Sequence, residues 1–114
     1  MTRSPRLWLE DIVEAAELIG QYVAGLSLEE FEDDIEKQDA VARRLEIIGQ
    51  AVKELPQDLR EAYPSVEWRD IAGARDIVAH EYFRIDLSLV WGMATKDVPR
   101  LAAQVREILL QFPA

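Results

Sequence analysis

The chain predicts an all-α fold: an antiparallel bundle of four long helices with one or two short ones. Three observations carry that prediction. Apolar residues recur at three- and four-residue steps over long stretches, no strand-like alternation of convincing length appears, and Ser, Asp, Gly and Pro stand where helices should start and stop. At 114 residues the chain is expected to form one domain over 1–114, large enough to hide most of its extended-chain surface. Its 49% apolar content, with 5 Gly and 5 Pro, belongs to a globular helical protein and not to a disordered one.

Ser4-Pro5 opens the first helix, a hydroxyl cap followed by proline at the first helical position. Leu9, Ile12, Val13, Ala16, Ile19, Tyr22 or Val23, and Leu26 form its apolar stripe, and Gly25 marks its end. Ser27 with Glu30 reads as a capping box for a short helix around Phe31. From Glu36 to Leu55 a longer helix places Val41, Leu45, Ile48, Val52 and Leu55 in alternating steps of four and three, a seam for a neighbouring helix. Pro56 stops it, and Asp58 to Ala62 supplies one or two further turns before Tyr63-Pro64. Trp68 to about His80 reads as the next helix, with Ser65 as its cap and Glu67 in the first turn, where the helix dipole favours a carboxylate. The last segment, Asp86 to Phe112, puts Leu87, Val90, Trp91, Ala94, Val98, Leu101, Val105, Ile108 and Leu109 on one stripe. Pro99 predicts a kink in it.

The composition also excludes whole classes of chemistry. There is no cysteine, so disulfides and thiolate metal sites are ruled out, and a single histidine without a Cys/His cluster points away from zinc. No metal and no cofactor is expected. The N-terminal residues lack the apolar core of a signal peptide and no apolar run approaches membrane-spanning length, so the expectation is a cytoplasmic protein with no membrane partner. A net charge of −9 repels nucleic acid at long range, so any such function must rest on a local basic patch. Glu29, Glu30, Glu32, Asp33, Asp34 and Glu36 are expected to form a solvated acidic surface. If the 36–55 helix packs beside the Trp68–His80 helix, some of Arg43, Arg44, Arg69, Arg75 and Arg84 form a basic pocket.

The chemistry concentrates in one stretch. His80 is the only histidine, and Arg75, Asp76 and Tyr82 lie within a few residues of it. Imidazole exchanges a proton near neutral pH. The guanidinium is a permanent planar cation suited to phosphate. Asp76 and His80 are spaced i, i+4, so the carboxylate can accept a proton from one ring nitrogen and leave the other free as a base. Arg75 and His80 lie about 140° apart around a straight helix and do not share a face. Either the helix loosens at His80, or a second copy of the chain brings its own pair across a two-fold axis.

Arg75, four intervening residues, His80, one residue and Tyr82 resemble the Arg-x4-His-x-Tyr signature of HepT-like toxins in the HEPN superfamily. The resemblance extends to Arg44-Leu-Glu-Ile-Ile-Gly-Gln-Ala-Val-Lys53, to Trp68-Arg-Asp-Ile-Ala-Gly-Ala-Arg75, to His80-Glu-Tyr-Phe83 and to the segment Asp86 to Trp91. It covers the chain from about Leu9 to Leu110. It implies a HEPN-like helical domain in a two-fold homodimer, with paired motifs lining a cleft. It further implies a metal-independent endoribonuclease, the toxin of a type II or type VII-like toxin–antitoxin pair. The implied partner is a nucleotidyltransferase antitoxin that transfers AMP to Tyr82. The family usually carries asparagine where this chain has Asp76.

The chemistry agrees with that implication. RNA supplies its own nucleophile, the 2′-hydroxyl, so cleavage requires a base near that oxygen and a cation near the phosphate. His80 is the candidate base, or the acid from a second chain, Arg75 the anion stabiliser and Asp76 the orienting carboxylate. Arg43, Arg44, Arg69 and Arg84 are candidate RNA contacts. Trp68 and Trp91 are expected to be core or interface aromatics. An alternative reading is a non-catalytic helical partner, or a nucleotide-binding regulator, of a nucleotidyltransferase; the acidity of the chain and Asp76 favour it.

Overall fold

The computed structural model describes residues 3–79 and 86–112, and every regular element among them is helical. The elements are α1 (Pro5–Val23), α2 (Leu28–Glu32), α3 (Ile35–Glu54), α4 (Gln57–Ala62), α5 (Trp68–Ala79), α6 (Leu87–Gly92), a π-helical turn (Met93–Asp97) and α7 (Val98–Leu109). The last three run on without a break, so four long helical segments and two short ones make up the described chain. Among the described residues no helix is long and apolar enough to cross a membrane.

Local chemistry accounts for most boundaries. The Ser4 hydroxyl accepts from the Arg6 N–H at 3.2 Å and Pro5 starts α1. Gly25 ends it with φ 77, a conformation that carries a steric cost in residues with a Cβ. The capping box at α2 is reciprocal: Ser27 Oγ accepts from Glu30 N at 3.1 Å while Glu30 Oε1 accepts from Ser27 N at 3.0 Å. Asp34 caps α3 through the Lys37 N–H at 3.1 Å. Asp86 caps α6 by accepting from Ser88 Oγ at 2.7 Å and Leu89 N at 3.0 Å. Those two bonds, the Ser88 hydroxyl foremost, hold its carboxyl below the usual carboxylate range.

Two expectations are corrected. Ser65 does not cap α5, which begins at Trp68 and is flanked by Glu67. Glu67 therefore lies outside the first turn, where the acidic residue is Asp70. The 63–68 segment is organised by the Trp68 side chain, whose Nε1 donates to the Tyr63 carbonyl at 3.1 Å, and by the Trp68 N–H, which donates to Val66 O at 2.9 Å. These bonds of the tryptophan outweigh the serine signal. The irregularity expected at Pro99 falls one turn earlier, in the π turn 93–97. A helical proline clashes with the carbonyl four residues before it, here that of Thr95, and the wider turn relieves that clash. Thr95 Oγ1 also donates to the Trp91 carbonyl at 2.7 Å, taking up an acceptor inside the widened region.

The core forms where α1 packs on both α3 and α7, and α5 also packs on α3. Leu9, Ile12, Ala15, Ala16, Ile19 and Val23 of α1 meet Val41, Leu45, Ile48 and Val52 of α3 and Leu101, Val105 and Ile108 of α7 in one buried cluster. Val23, not Tyr22, closes the α1 stripe, and Ala15 joins it. Phe31 is fully buried and packs on Trp91 with ring centroids 5.3 Å apart. The buried Gln38 side chain ends α2 by donating to the Phe31 and Glu32 carbonyls at 2.9 and 3.0 Å, which satisfies both the carboxamide and a helix end that would otherwise be left without partners.

Candidate functional site

Arg75 takes its place from a close helix crossing. A Cβ built on Gly49 of α3 would lie 2.7 Å from the Arg75 Cβ, 3.2 Å from its backbone nitrogen and 3.4 Å from the Ala72 carbonyl oxygen. Glycine here supplies space, not backbone freedom: it lets α5 rest directly on α3 at the residue that carries the guanidinium. Ala74, beside Arg75, is buried, whereas Arg69, Asp70 and Asp76 are exposed, so the rotation of α5 about its axis is set by packing.

The half-buried Arg75 opens onto a groove of about 300 Å³, shared with Trp8 from α1 and with Arg43, Glu46, Ile47 and Gln50 from α3. The four α3 residues stand at i, i+3, i+4 and i+7, one face of one helix. Within the groove Arg43 approaches Glu46 at 3.8 Å, and Gln50 Nε2 donates to Glu54 Oε1 at 2.8 Å. Beside it, the Arg3 guanidinium stacks 4.3 Å from the Trp8 ring centroid and pairs with Asp11 at 2.7 Å. Three arginines thus gather around one indole in a chain whose net charge is −9.

Of the arginines expected to form a basic pocket, Arg43 and Arg75 line this groove, together with Glu46. Arg44 and Arg69 do not line it. Asp76 is 65% exposed and its carboxylate lies 3.9 Å from Lys53 Nζ across the α3–α5 contact. That spacing makes a weak, solvent-screened pair. His80, Tyr82 and Arg84 lie outside the described residues, and with them the i, i+4 relation between Asp76 and His80. Among the described residues no group of three or more His, Asp or Glu is arranged to hold a metal ion. Trp8, Glu46 and Gln50 are site residues that sequence reasoning did not single out. The step pattern from Arg43 to Gln50 was available as a signal, but Trp8 comes from a helix far away in sequence and gives none.

A second depression, of about 320 Å³ and mostly apolar, separates α5 from the last helical segment and is lined by Ile71, Ala74, Ile77, Leu89 and Met93 among others. It lacks the concentration of arginine found around Trp8, although Arg100 stands on its rim with Glu67, Asp70 and Asp97.

Comparison with known proteins follows the same line. The family described as ribonuclease HepT-like matches residues 12–108. A candidate RNase of Caldanaerobacter subterraneus subsp. tengcongensis is 43% identical over 107 residues, covering 94% of this chain and 96% of that protein. A candidate ribonuclease HepT of Thermococcus cleftensis is 39% identical over 108 residues, covering 95% and 98%. A gamma-glutamylcyclotransferase and candidate RNase of Methanocaldococcus jannaschii is 38% identical over 109 residues, which is 96% of this chain but 49% of that longer protein. No solved structure matches the chain at the same level of significance.

Proposed function

The chain belongs to the HepT-like ribonuclease family of the HEPN superfamily, and from that premise we propose that this endoribonuclease is the toxin of a toxin–antitoxin pair, cutting RNA with Arg75 and His80. The observation that carries the reading is the Arg75-x4-His80-x-Tyr82 motif, whose Arg75 stands on α5 and opens into a groove shared with Arg43. Such a pair of guanidiniums suits a phosphodiester, because their charge is permanent and their donors are planar.

In the proposed step the 2′-oxygen bonds to phosphorus as the bond to the 5′-oxygen breaks. His80 removes the 2′-hydroxyl proton, or from a second chain supplies a proton to the departing 5′-oxygen. Arg75 balances the charge that builds on the non-bridging oxygens. Atoms and charge balance without an oxidant or a hydrolytic water in this first step. Asp76 orients the imidazole. This aspartate is 65% exposed and adds negative charge beside the phosphate, which together with the chain's net charge of −9 favours a non-catalytic regulator instead.

Tyr82 is the proposed acceptor of AMP from a nucleotidyltransferase antitoxin. A phosphodiester there competes with the substrate phosphate for Arg75.

Purified wild type, His80→Ala and Arg75→Ala chains incubated with labelled RNA in EDTA separate the readings. Wild type should cleave. His80→Ala should lose activity by about 10²–10⁴-fold, the usual worth of a positioned acid–base group, and Arg75→Ala by about 10²–10³-fold, the usual worth of one anion-stabilising donor, with helicity by circular dichroism unchanged. Undiminished cleavage by a folded His80→Ala chain removes the mechanism. An inert wild type that still binds a nucleotidyltransferase favours the regulator.

A further inference from the structure

Each tryptophan should have a reason for its place, and two of the three do. Trp68 is buried and its indole nitrogen donates to the Tyr63 carbonyl. Trp91 packs on the buried Phe31 with the two rings tilted 43° to each other. Trp8, half-buried like Trp91, packs against the core and also lines the Arg43–Arg75 groove.

We propose that Trp8 is a stacking platform for an unpaired RNA base, seated in the groove it shares with Arg43 and Arg75 while Arg75 holds the adjoining phosphate. The inference rests on the ribonuclease reading and adds to it a base-binding subsite. Two observations support it. The groove joins an aromatic surface to two guanidiniums, the combination by which proteins hold single-stranded nucleic acid: cations track the backbone while the ring accepts a base. Its volume of about 300 Å³ lies at the small end of the range for small-molecule sites and suits one base, not a duplex. Arg3, held by Asp11 at 2.7 Å, already lies over the Trp8 ring 4.3 Å from its centroid, so a base must use the part of Trp8 that faces the groove. The base lies on the part of the ring that lines the groove.

The groove also carries a means of reading the base. Gln50 spends an amide hydrogen on Glu54, which leaves the carboxamide oxygen as an acceptor for an exocyclic amino group. Glu46, held 3.8 Å from Arg43, is a second acceptor. A groove with these acceptors favours bases that present an amino group, adenine, cytosine and guanine, above uracil.

Binding, measured without cleavage, tests the subsite. The probes are two fluorescein-labelled single-stranded 2′-O-methyl oligonucleotides of equal length, one of mixed sequence and one with abasic positions in its centre. Their 2′-oxygens are capped and cannot attack phosphorus. Fluorescence anisotropy at low salt with the full wild-type chain should show tighter binding of the mixed probe. Trp8→Ala should weaken that probe about tenfold while leaving the abasic probe nearly unchanged, and Trp8→Phe should restore most of the difference. Trp8→Leu fills the space without a π face and should behave like Trp8→Ala; it serves if the alanine variant does not fold.

Equal loss on both probes would assign Trp8 to packing, and equal binding of both probes by wild type would remove the subsite. Either result leaves the ribonuclease reading standing, since that is decided by the cleavage assay. Conversely, a chain that fails to cleave can still display base-dependent binding through Trp8.

Discussion

Gly49 is where a single residue's chemistry reaches furthest. In a helix interior glycine costs about 1 kcal/mol relative to alanine, so local propensity alone favours Gly49→Ala. The structure reverses the sign. The added methyl would meet the Arg75 Cβ at 2.7 Å and backbone atoms of α5 at 3.2 and 3.4 Å, none of them the end of a flexible side chain. Overpacking of that kind costs roughly 1–3 kcal/mol, and α5 must shift to relieve it. The expected result is a net destabilisation of about 1 kcal/mol in urea unfolding, together with a larger loss of activity. Displacing a phosphate-binding cation by on the order of 1 Å costs up to about 10²-fold in rate. A Gly49→Ala chain with wild-type cleavage would show that the α3–α5 crossing does not position Arg75.

At the scale of elements, caps and one irregular turn decide where helices begin and how they run. Asp86 is the informative cap because its carboxyl is held below its ordinary pKa by Ser88 and Leu89. A depressed folded-state pKa means that the carboxylate stabilises the fold above the ordinary carboxylate range, and that this stabilisation is lost as pH falls through that range and then through the lowered folded value. Asp86→Ala should therefore lower Tm most at neutral pH, and the gap to wild type should narrow on acidification. A gap that stays constant down to acid pH would mean that the carboxylate charge contributes nothing to capping. The π turn at 93–97 belongs to the same scale: it absorbs the demand of Pro99 without breaking the segment from Leu87 to Leu109, and so keeps Val90, Ala94, Val98 and Leu101 on one buried side.

For the whole molecule the open matter is assembly. Arg75 and His80 lie about 140° apart on a straight helix, a geometry that two chains related by a dyad close readily. The apolar depression between α5 and the last helical segment, with Leu89 46% exposed on its edge, supports an interface on the motif helix. Light scattering at micromolar concentration should give a dimer, and Leu89→Asp should shift it toward monomer with a parallel loss of cleavage. A monomeric, fully active wild type would remove the shared-site proposal. Control by modification is tested at the same scale. Incubation with a partner nucleotidyltransferase and ATP should add one AMP by intact mass. Tyr82→Phe should abolish the addition; a Tyr82→Phe chain that still takes up AMP fully would place the modification elsewhere.

By itself the sequence determined what is periodic and local. The step pattern from Val41 to Leu55, the stripe of the last segment and the Ser4 and Ser27 caps were legible because each depends on residues within two turns of one another. The motif from Arg75 to Tyr82 was legible for the same reason. Its spacing is a property of the chain, and the family of ribonucleases could be read from it and its flanks. Tertiary structure decided what depends on distance between elements. In sequence Gly49 is only a weak point in a helix, Ser65 looks like a cap, and Trp8 is an apolar residue on the first helix. Gly49 becomes the contact that seats Arg75 because two helix backbones meet there. Ser65 loses the helix start within its own segment, where the Trp68 indole donates to the Tyr63 carbonyl five residues back, a bond set by side-chain direction and not by helical period. Trp8 joins Arg43 and Arg75 because α1 and α5 both pack on α3, bringing residues more than sixty positions apart to one groove. A helical period says which face of an element is buried; only the packing of faces says which residues from different elements share a site.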